Sequence, residues 1–259
     1  MVKDEVIGNL QKAVGRESVI TDKESLLCYS YDATRIEVLP DLLLRPKTSE
    51  DVAAVLKIAN KEKIPVVPRG AGSGLAGASI PVNGGIVMSM QFMDRIIEIN
   101  KDDFYAVVEP GVITRDFQRA VEAEGLFYPP DPSSVNFCTI GGNISTGAGG
   151  ARGIKYGTTK DYVMGLEVVL ASGEIISTGT KTTRSVAGYD LTRLITGSEG
   201  TLGVITKATL RLVPLPEKIV TAAAVFPSLY SAVSAIDNIL KSSIKPLVLE
   251  FMDRESIGL

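Results

Sequence analysis

The sequence predicts an α+β fold, in which two successive units of strands and helices are followed by the incomplete start of a third. Short apolar runs alternate with amphipathic runs of helical period from residue 40 onward, which is typical of strands that alternate with helices. Prolines at positions 214 and 216 interrupt this alternation and mark a boundary. Three glycine clusters, at residues 70–85, 141–157 and 197–203, indicate places where the backbone bends sharply or approaches a ligand closely.

The first unit is predicted at residues 40–103, after an N-terminal helical segment at residues 1–39. Residues 42–44 are all leucine and predict a short buried strand. The sequence Thr48-Ser49-Glu50-Asp51 has the polar residues of a helix start and predicts a helix that continues to about Lys61. Further strands are predicted at residues 65–68, 86–90 and 96–99.

The second unit is predicted at residues 104–215 and contains a long irregular stretch from Tyr128 to about Lys160. Loops of that length are uncommon in compact domains unless they are functional. The regular elements are a strand at 105–108, a helix at 115–124 that Thr114 caps and Gly125 ends, a hairpin of 163–170 with 174–178, and a strand at 204–213. Residues 216–259 predict a strand at 220–226, a helix at 229–241 and a strand at 247–252, which are too few elements to enclose a core.

Composition excludes several classes of function. The 259 residues carry a formal net charge of −3, so no basic surface for nucleic acid is indicated. No apolar run approaches the roughly 18 residues of a membrane span, and the N-terminus lacks the pattern of a secretory signal. Two cysteines, Cys28 and Cys138, do not make a disulfide framework, so a cytoplasmic location is expected. Histidine is absent, which excludes histidine triads and imidazole metal sites within these residues.

The first glycine cluster follows a predicted strand as Arg69-Gly70-Ala71-Gly72-Ser73-Gly74. A Rossmann motif would open a helix here, with an acidic residue about 20 positions later. This loop instead continues through Leu75-Ala76-Gly77 without a strong helical pattern. It therefore predicts a backbone nest, in which consecutive N–H groups bind an anion such as a pyrophosphate. A tight surface turn is the alternative, although a turn needs fewer glycines.

The second and third glycine clusters change the balance between these two interpretations. Residues 139–150 supply small side chains and many backbone donors, which suit a flat, polar ligand that lies against the main chain. Residues 197–203 precede a strand. Three such loops in one chain indicate a single extended ligand that is contacted at several points. A dinucleotide fits this description better than a single phosphate.

Taken in order, these segments resemble the PCMH-type FAD-binding domain, also called vanillyl-alcohol oxidase-like, and within it the glycolate oxidase and D-lactate dehydrogenase group. The resemblance covers about residues 20–215 with the order and spacing intact, so the ordered set is specific although each motif is weak. The matching segments are Tyr31-Asp32-Ala33-Thr34, residues 68–78, Pro129-Pro130-Asp131-Pro132-Ser133-Ser134, Cys138-Thr139-Ile140-Gly141-Gly142-Asn143, Lys155-Tyr156-Gly157, Gly188-Tyr189-Asp190-Leu191 and residues 197–206.

The resemblance implies two α+β subdomains with FAD bound between them, followed by the truncated start of an α+β substrate domain. It places the pyrophosphate on the 69–74 loop, the ribityl chain and ring near residues 130–134, the flavin along residues 139–157, and the adenine end at the backbone of Ile205. The implied cofactor-binding residues are Arg69, Gly70, Ala71, Gly72, Ser73, Gly74, Pro130, Asp131, Ser134, Thr139, Gly141, Gly142, Asn143, Ser145, Gly149, Gly153, Tyr156, Gly157 and Ile205.

The activity that the resemblance implies is FAD-dependent oxidation of a small 2-hydroxy acid, such as glycolate or D-lactate, to the 2-oxo acid. The family's metal-binding histidines and substrate-gripping arginine lie in its C-terminal domain, so no catalytic residue and no metal ligand is predicted here. FAD is expected to bind non-covalently, because there is no histidine to attach it. Gly147 stands where many relatives have asparagine, which removes one side-chain contact, and Cys138 is interpreted as a small buried thiol.

Two other functions stay open. The chain could be an FAD-binding subunit that works only inside a heteromeric dehydrogenase and passes electrons to an acceptor protein or partner subunits. It could also be a reductase of the same fold, such as the cell-wall precursor reductase type. The segments 129–134 and 197–203 favour the hydroxy-acid branch over the reductase. Asp131 and Glu199 also have purely structural interpretations, as turn and capping residues.

Overall fold

The computed structural model describes residues 2–182 and 184–258. Met1 and Leu259, which end the predicted terminal segments, lie outside this description, as does Thr183. The strands are β1 (Val19–Ile20), β2 (Leu42–Leu44), β3 (Val66–Arg69), β4 (Ile86–Ser89), β5 (Ile96–Asn100), β6 (Tyr105–Val108), β7 (Leu126–Phe127), β8 (Val163–Val169), β9 (Ile175–Gly179), β10 (Val204–Arg211) and β11 (Val213–Pro214). The helices are α1 (Asp4–Val14), α2 (Lys23–Leu27), α3 (Ser49–Glu62), α4 (Thr114–Ala123), α5 (Ile140–Thr146), α6 (Gly153–Tyr156), α7 (Leu191–Ile195), α8 (Leu229–Lys241) and α9 (Arg254–Ile257).

The first sheet has the strand order β1-β2-β4-β3. Strands β2 and β3 run parallel to the central β4, and β1 runs antiparallel to β2. All of β2 is buried because the sheet is covered on both faces. Leu42 and Leu44 belong to the same core cluster as Val55 of α3, whereas Leu43 clusters with Leu26 of α2 on the opposite face. The predicted N-terminal helical segment therefore also contributes a strand, β1, and a covering helix to this sheet.

Helix α3 begins where the sequence predicts it. The Thr48 hydroxyl oxygen accepts a hydrogen bond from the Asp51 amide at 3.1 Å, and the Asp51 carboxylate accepts one from the Thr48 amide at 3.1 Å. A cap of this kind stabilises a helix by about 1 kcal/mol. The helix ends before Lys63, which adopts the left-handed conformation with a φ of 54°. Its buried apolar face consists of Val52, Ala53, Val55, Leu56 and Ala59.

The second sheet has the strand order β5-β6-β10-β8-β9, and every neighbouring pair is antiparallel. The predicted hairpin of β8 and β9 forms, with Gly173 at a φ of 78° in its turn. The assignment of the strand at 96–99 to the first unit was wrong, because β5 pairs with β6. The turn between them is short, and the Asn100 side-chain oxygen accepts a hydrogen bond from the Asp103 amide at 2.9 Å. Strands joined by so short a turn pair with each other in preference to a more distant sheet.

The stretch from residue 128 to 160 is less irregular than predicted, because it contains α5 and α6. Helix α5 forms despite two glycines in its first turn. The Thr139 hydroxyl oxygen caps it by accepting a hydrogen bond from the Gly142 amide at 3.2 Å. Ile140 and Ile144, one turn apart, are fully buried and fix the helix on the core of the second sheet. Tertiary burial therefore outweighs the weak helix propensity of glycine.

The segment after Pro216 contains α8, as predicted, and the short α9. The strands predicted at 220–226 and 247–252 are wrong, because neither range forms a strand in the described part of the chain. The apolar residues in these two ranges are typical of a strand, but a strand also needs a hydrogen-bonded neighbouring strand. Within α8 only Ala232 is buried. The division of the chain into domains stays a prediction.

Within residues 2–182 and 184–258, no helix combines the length and the apolar character that crossing a membrane requires.

Candidate functional site

A cavity of about 710 Å³ is lined by residues of both sheets. Its walls include Pro68 and Arg69 at the end of β3 in the first sheet, and Val204 and Ile205 at the start of β10 in the second. Residues from all three glycine clusters line it. The volume falls within the range of about 300–1,000 Å³ that is usual for small-molecule sites.

The first and second glycine clusters touch each other at Gly70. A Cβ atom added to Gly70 would overlap the Thr139 hydroxyl and would lie 3.7 Å from the Cα of Gly142. The absence of a side chain at Gly70 therefore lets the loop after β3 pack directly on the first turn of α5.

The third glycine cluster is tied to the other two by backbone contacts. The amides of Gly197 and Glu199 donate hydrogen bonds at 2.9 Å to the carbonyls of Ile144 and Ser145 at the end of α5. Glu199 holds a φ of 53°, which is unusual for a residue with a side chain. A Cβ added to Gly200 would press on the Pro68 ring. The three clusters, far apart in sequence, thus form one continuous wall.

The loop at residues 70–74 presents unpaired backbone donors. The amides of residues 71–74 donate no hydrogen bond to any described residue. Gly72 has a φ of 67°, so the loop contains the left-handed turn that a backbone nest requires. Consecutive N–H groups without a protein acceptor at the wall of a cavity are suited to an anion.

Arg69 supplies the positive charge at this wall, and it is the one basic residue among the described residues that line the cavity. Its side chain is 5% exposed. The guanidinium donates to the carbonyl and the hydroxyl of Ser79, both at 3.5 Å, and lies 5.6 Å from the centre of the Tyr29 ring. Burial lowers the pKa of Arg69, and the carboxylate of Asp32 opposes that shift. Because an arginine starts from so high a pKa, it stays charged at neutral pH.

The wall at α5 is held from behind by Thr114. The prediction that Thr114 caps α4 was wrong, because Ile113 occupies that position and Thr114 is the first residue of the helix. Its hydroxyl oxygen instead accepts a hydrogen bond from the Asn143 amide group at 2.7 Å, and the Cys138 thiol donates to it at 3.3 Å. Asn143 and Cys138 both reach the cavity wall and are at most 3% exposed. The hydroxyl therefore orients two residues of this wall from inside the core.

Gly142 leaves open space in front of α5. A Cβ added there would meet the Thr139 hydroxyl at 3.1 Å and no other neighbouring atom within 4 Å. At Gly141, by contrast, a Cβ would press on Pro110. Gly141 therefore allows the helix to pack against the core, whereas Gly142 keeps the cavity free along the helix.

Asp131 closes another side of the cavity through an ion pair. Its carboxylate lies 3.1 Å from Arg152 Nε and also accepts a hydrogen bond from the Arg152 amide at 3.2 Å. The Arg152 guanidinium lies 5.0 Å from the centre of the Phe127 ring. The pair joins the 129–134 segment to the loop after α5. Asp131 thus has a clear structural role in addition to its place at the cavity.

The structure brings most of the predicted cofactor-binding residues together at the cavity. Those that line it are Arg69, Gly70, Ala71, Gly72, Ser73, Gly74, Asp131, Ser134, Thr139, Gly141, Gly142, Asn143, Ser145, Gly149 and Ile205. Whether each of them contacts a cofactor stays a prediction.

Four predicted residues do not line the cavity. The Pro130 carbonyl accepts a hydrogen bond from the Gln118 side chain at 2.8 Å inside the core. Tyr156 packs edge-on against Phe127, with 5.8 Å between ring centroids, and Gly153 and Gly157 flank it at the ends of α6.

Several lining residues were not among the predicted cofactor-binding residues. Asp32 lies in the Tyr31–Thr34 segment and Glu199 and Gly200 lie in the third glycine cluster, so their motifs gave a signal. Ser79 and Ala148 lie within the first and second glycine clusters, whereas Met90, Pro110 and Glu250 reach the cavity only through tertiary folding. In the part of the chain that the structure describes, no group of three or more acidic or cysteine side chains could hold a metal ion.

Comparison with known proteins agrees with this geometry. Residues 40–179 match the family model described as FAD binding domain, and residues 215–259 match the model described as FAD linked oxidases, C-terminal domain. The chain is 46% identical over 258 residues to glycolate oxidase subunit GlcD of Bacillus subtilis, which covers 99% of this chain and 55% of that protein. It is 40% identical over 234 residues to D-lactate dehydrogenase of Archaeoglobus fulgidus, which covers 88% of this chain and 52% of that protein. The chain thus spans about half the length of these relatives.

Two solved structures share the fold. An alkyldihydroxyacetonephosphate synthase superposes with a TM-score of 0.83 at 25% identity, over 96% of this chain and 47% of that one. A p-cresol methylhydroxylase superposes with a TM-score of 0.77 at 22% identity, over 91% of this chain and 48% of that one. The predicted PCMH-type α+β fold and the predicted cofactor class are therefore confirmed. With its residues 40–179 matched by the family model and its three glycine clusters gathered at one cavity, the chain belongs to the FAD binding domain family.

Proposed function

We propose that this chain is the FAD-binding part of an oxidoreductase that converts a small 2-hydroxy acid, such as glycolate or D-lactate, to the 2-oxo acid. The observation that carries the proposal is the meeting of three glycine clusters around one cavity in an FAD binding domain. The substrate class is supported by the names of two relatives, a glycolate oxidase subunit and a D-lactate dehydrogenase.

The pyrophosphate end of FAD is assigned to the loop at residues 70–74. Its unpaired amides and the buried Arg69 guanidinium offer hydrogen-bond donors and a positive charge on the same side of the cavity. Charge-assisted hydrogen bonds of this kind are roughly twice as strong as neutral ones. The adenine end then extends toward the backbone of Ile205.

The flavin end is assigned to the wall formed by α5. Gly142 leaves the space that a flat ring needs, and Asn143 and Ser145 bring polar side chains to the same wall. Asp131 and Ser134 lie on the side where the ribityl chain is expected. Under this assignment Gly142, Asn143 and Ser145 would hold the flavin ring.

These assignments separate the role of the cofactor from the role of the chain. When bound, FAD supplies the acceptor for the hydride equivalent that leaves the α-carbon of the substrate. The residues of this chain would bind the cofactor and fix its orientation through the wall that the three glycine clusters form. We assign no catalytic base within these residues, because no contact of a carboxylate at the cavity separates a catalytic role from a structural one.

The proposal includes partners and location. Because one relative is named a subunit of glycolate oxidase, further subunits or an electron-acceptor protein are partners of the proposed enzyme. The lack of a cysteine framework supports the cytoplasm as its location. A reductase of the same fold has less support, because the names of the relatives fall in the hydroxy-acid branch.

Flavin reduction under anaerobic conditions tests the proposal. The natural protein that carries this chain is loaded with FAD and mixed with glycolate, D-lactate, L-lactate or NADPH. Bleaching of the flavin absorbance by glycolate or D-lactate is the expected result. Bleaching by NADPH with no response to any 2-hydroxy acid would favour the reductase instead.

A further inference from the structure

Asp32 is buried at the cavity wall, yet neither the glycine motifs nor the predicted cofactor contacts give it a role. Its side chain is 5% exposed, in a segment whose neighbour Tyr31 is 53% exposed. Burying a carboxylate is unfavourable unless the charge is compensated by hydrogen bonds or by a positive group. The contacts of Asp32 therefore indicate what the charge is used for.

Each carboxylate oxygen of Asp32 has a separate task. Oδ1 accepts hydrogen bonds from the Thr34 amide at 2.8 Å and from the Thr34 hydroxyl at 2.5 Å, which fixes the local turn. Oδ2 accepts a hydrogen bond from the Ser79 hydroxyl at 3.3 Å. The same hydroxyl oxygen accepts a hydrogen bond from the Arg69 guanidinium at 3.5 Å. Ser79 thus relays the charge of Asp32 to Arg69.

The contact between Arg69 and Ser79 also connects the chain on the two sides of the 70–74 loop. Arg69 and Ser79 flank the loop, and the guanidinium donates to both the hydroxyl and the carbonyl of Ser79. Within the loop, the guanidinium lies directly against Gly72, where a Cβ would overlap it. On its other side the guanidinium faces the Tyr29 ring. The position of one guanidinium therefore determines both the shape of the loop and the charge behind its amides.

We propose that Asp32 is a positioning residue that acts through Ser79 to hold the Arg69 guanidinium beneath the 70–74 loop, and so fixes the site for the pyrophosphate of FAD. This inference rests on the proposed cofactor orientation. Asp32 itself does not contact the cofactor in this arrangement. Its removal weakens binding only because Arg69 loses its orientation.

A double-mutant cycle on FAD affinity tests the proposal, because it separates an effect through Arg69 from a general structural effect. The variants are Asp32→Asn, Ser79→Ala, Arg69→Gln and the two doubles with Arg69→Gln. Asp32→Asn and Ser79→Ala are each expected to weaken FAD binding by about 10-fold in the parent, and by less than about 2-fold when Arg69 is already glutamine. ADP, which has the pyrophosphate but no flavin, is expected to lose affinity by the same factor.

The matched control is Asp22→Asn, which removes the same charge from an exposed helix cap outside the cavity, where the carboxylate accepts a hydrogen bond from the Ser25 amide at 2.9 Å. It is expected to leave the affinity for FAD and ADP unchanged. The proposal would be overturned if Asp32→Asn weakened FAD binding equally in the presence of Arg69 and of Arg69→Gln. It would also be overturned if Asp32→Asn weakened the binding of FAD but not of ADP. If Asp32→Asn fails to fold, the Ser79→Ala cycle decides by the same criteria. Failure of the parent protein to bind FAD would instead contradict the proposed function.

Discussion

The guanidinium of Arg69 lies directly beneath Gly72, so closely that a Cβ atom on the glycine would overlap it. Gly72 also has a φ of 67°, which residues with side chains rarely adopt. Two separate requirements, backbone conformation and space, therefore select glycine at this position. At Gly142 the situation is different, because the residue lines the cavity and a Cβ there would meet the Thr139 hydroxyl at 3.1 Å but no other neighbouring atom within 4 Å.

We expect Gly142→Leu to weaken FAD binding by roughly 10- to 100-fold, which corresponds to the 1–3 kcal/mol of forcing a side chain into occupied space. Far-ultraviolet circular dichroism should change little, because the new side chain has room when the cofactor is absent. Gly72→Leu should abolish FAD binding, because the new side chain would displace Arg69 and the loop.

Gly8→Leu is the control for the Gly142 variant, since Gly8 lies in α1, outside the cavity, and a Cβ there meets no atom within 4 Å. It should bind FAD like the parent. Parent-like affinity in both loop variants would show that these loops do not form the cofactor site.

The sequence predicts the glycine loops of this site better than it predicts the residues that contact these loops. The excess of glycine at residues 70–74 predicts an anion-binding loop, because a tight surface turn needs fewer glycines. The buried carboxylate of Asp32 and its relay to Arg69 are not predictable in this way. They depend on a contact between residues 32 and 79, which only the tertiary fold creates.

In the fold, too, features that depend on neighbouring residues in the sequence are predicted, whereas features that depend on distant residues are not. Helix α3 is predicted correctly because its cap and its apolar face are both local in sequence. Strand β5 is assigned to the wrong sheet, because the apolar pattern identifies a strand and not its neighbour. Helix α5 is missed because glycine suggests a loop, whereas the burial of Ile140 and Ile144 stabilises the helix.

The purified protein should be yellow, and acid or heat should release the flavin from the chain. No histidine is available for a covalent bond. Cys138 reaches the cavity wall, but its thiol donates a hydrogen bond to Thr114 inside the core and is 2% exposed. Acid precipitation followed by absorbance of the supernatant checks this, and Cys138→Ser should release flavin to the same extent. Flavin absorbance that stays with the precipitated parent but not with Cys138→Ser would indicate a cysteinyl bond.

Glu167 should make stability depend on pH. Its carboxylate accepts hydrogen bonds from Ser49 at 2.6 Å, Thr206 at 2.9 Å and Lys207 at 2.9 Å, and so links α3 to the second sheet. Burial raises the pKa of Glu167, but the hydrogen bonds from Ser49, Lys207 and Thr206 outweigh it, and the pKa lies below its ordinary value of 4.5. A lowered pKa in the folded state means that this stabilisation is present above the ordinary pKa and is lost as the pH falls through the folded value.

Glu167→Gln should therefore lower the free energy of unfolding by about 1–2 kcal/mol at neutral pH, and the difference from the parent should shrink in acid. Urea unfolding at pH 7 and near pH 3 measures both values. Glu62→Gln, at an exposed position in the last turn of α3, serves as the control and should change little at either pH. A difference for Glu167→Gln that is as large in acid as at pH 7 would mean that its charge contributes nothing.

The segment after Pro216 should exchange its backbone hydrogens well before the second sheet does. Residues 220–226 and 247–252 form no strand, and Val220, Val225 and Tyr230 are more than three-quarters exposed. Strand β10, by contrast, lies between β6 and β8, and Leu210 within it is fully buried. Amides without a protein acceptor exchange through local fluctuations, whereas amides of a central strand require larger opening.

Hydrogen exchange followed by mass spectrometry should show early exchange at 220–252 and late exchange at 163–178 and 204–213. Ending the chain just after Pro216 should keep FAD binding, because Glu250 is the one described residue of this segment at the cavity. That boundary also preserves the pairing of β11 with β7. Equal protection in the two regions, or loss of FAD binding on shortening, would show that the segment forms part of the main core.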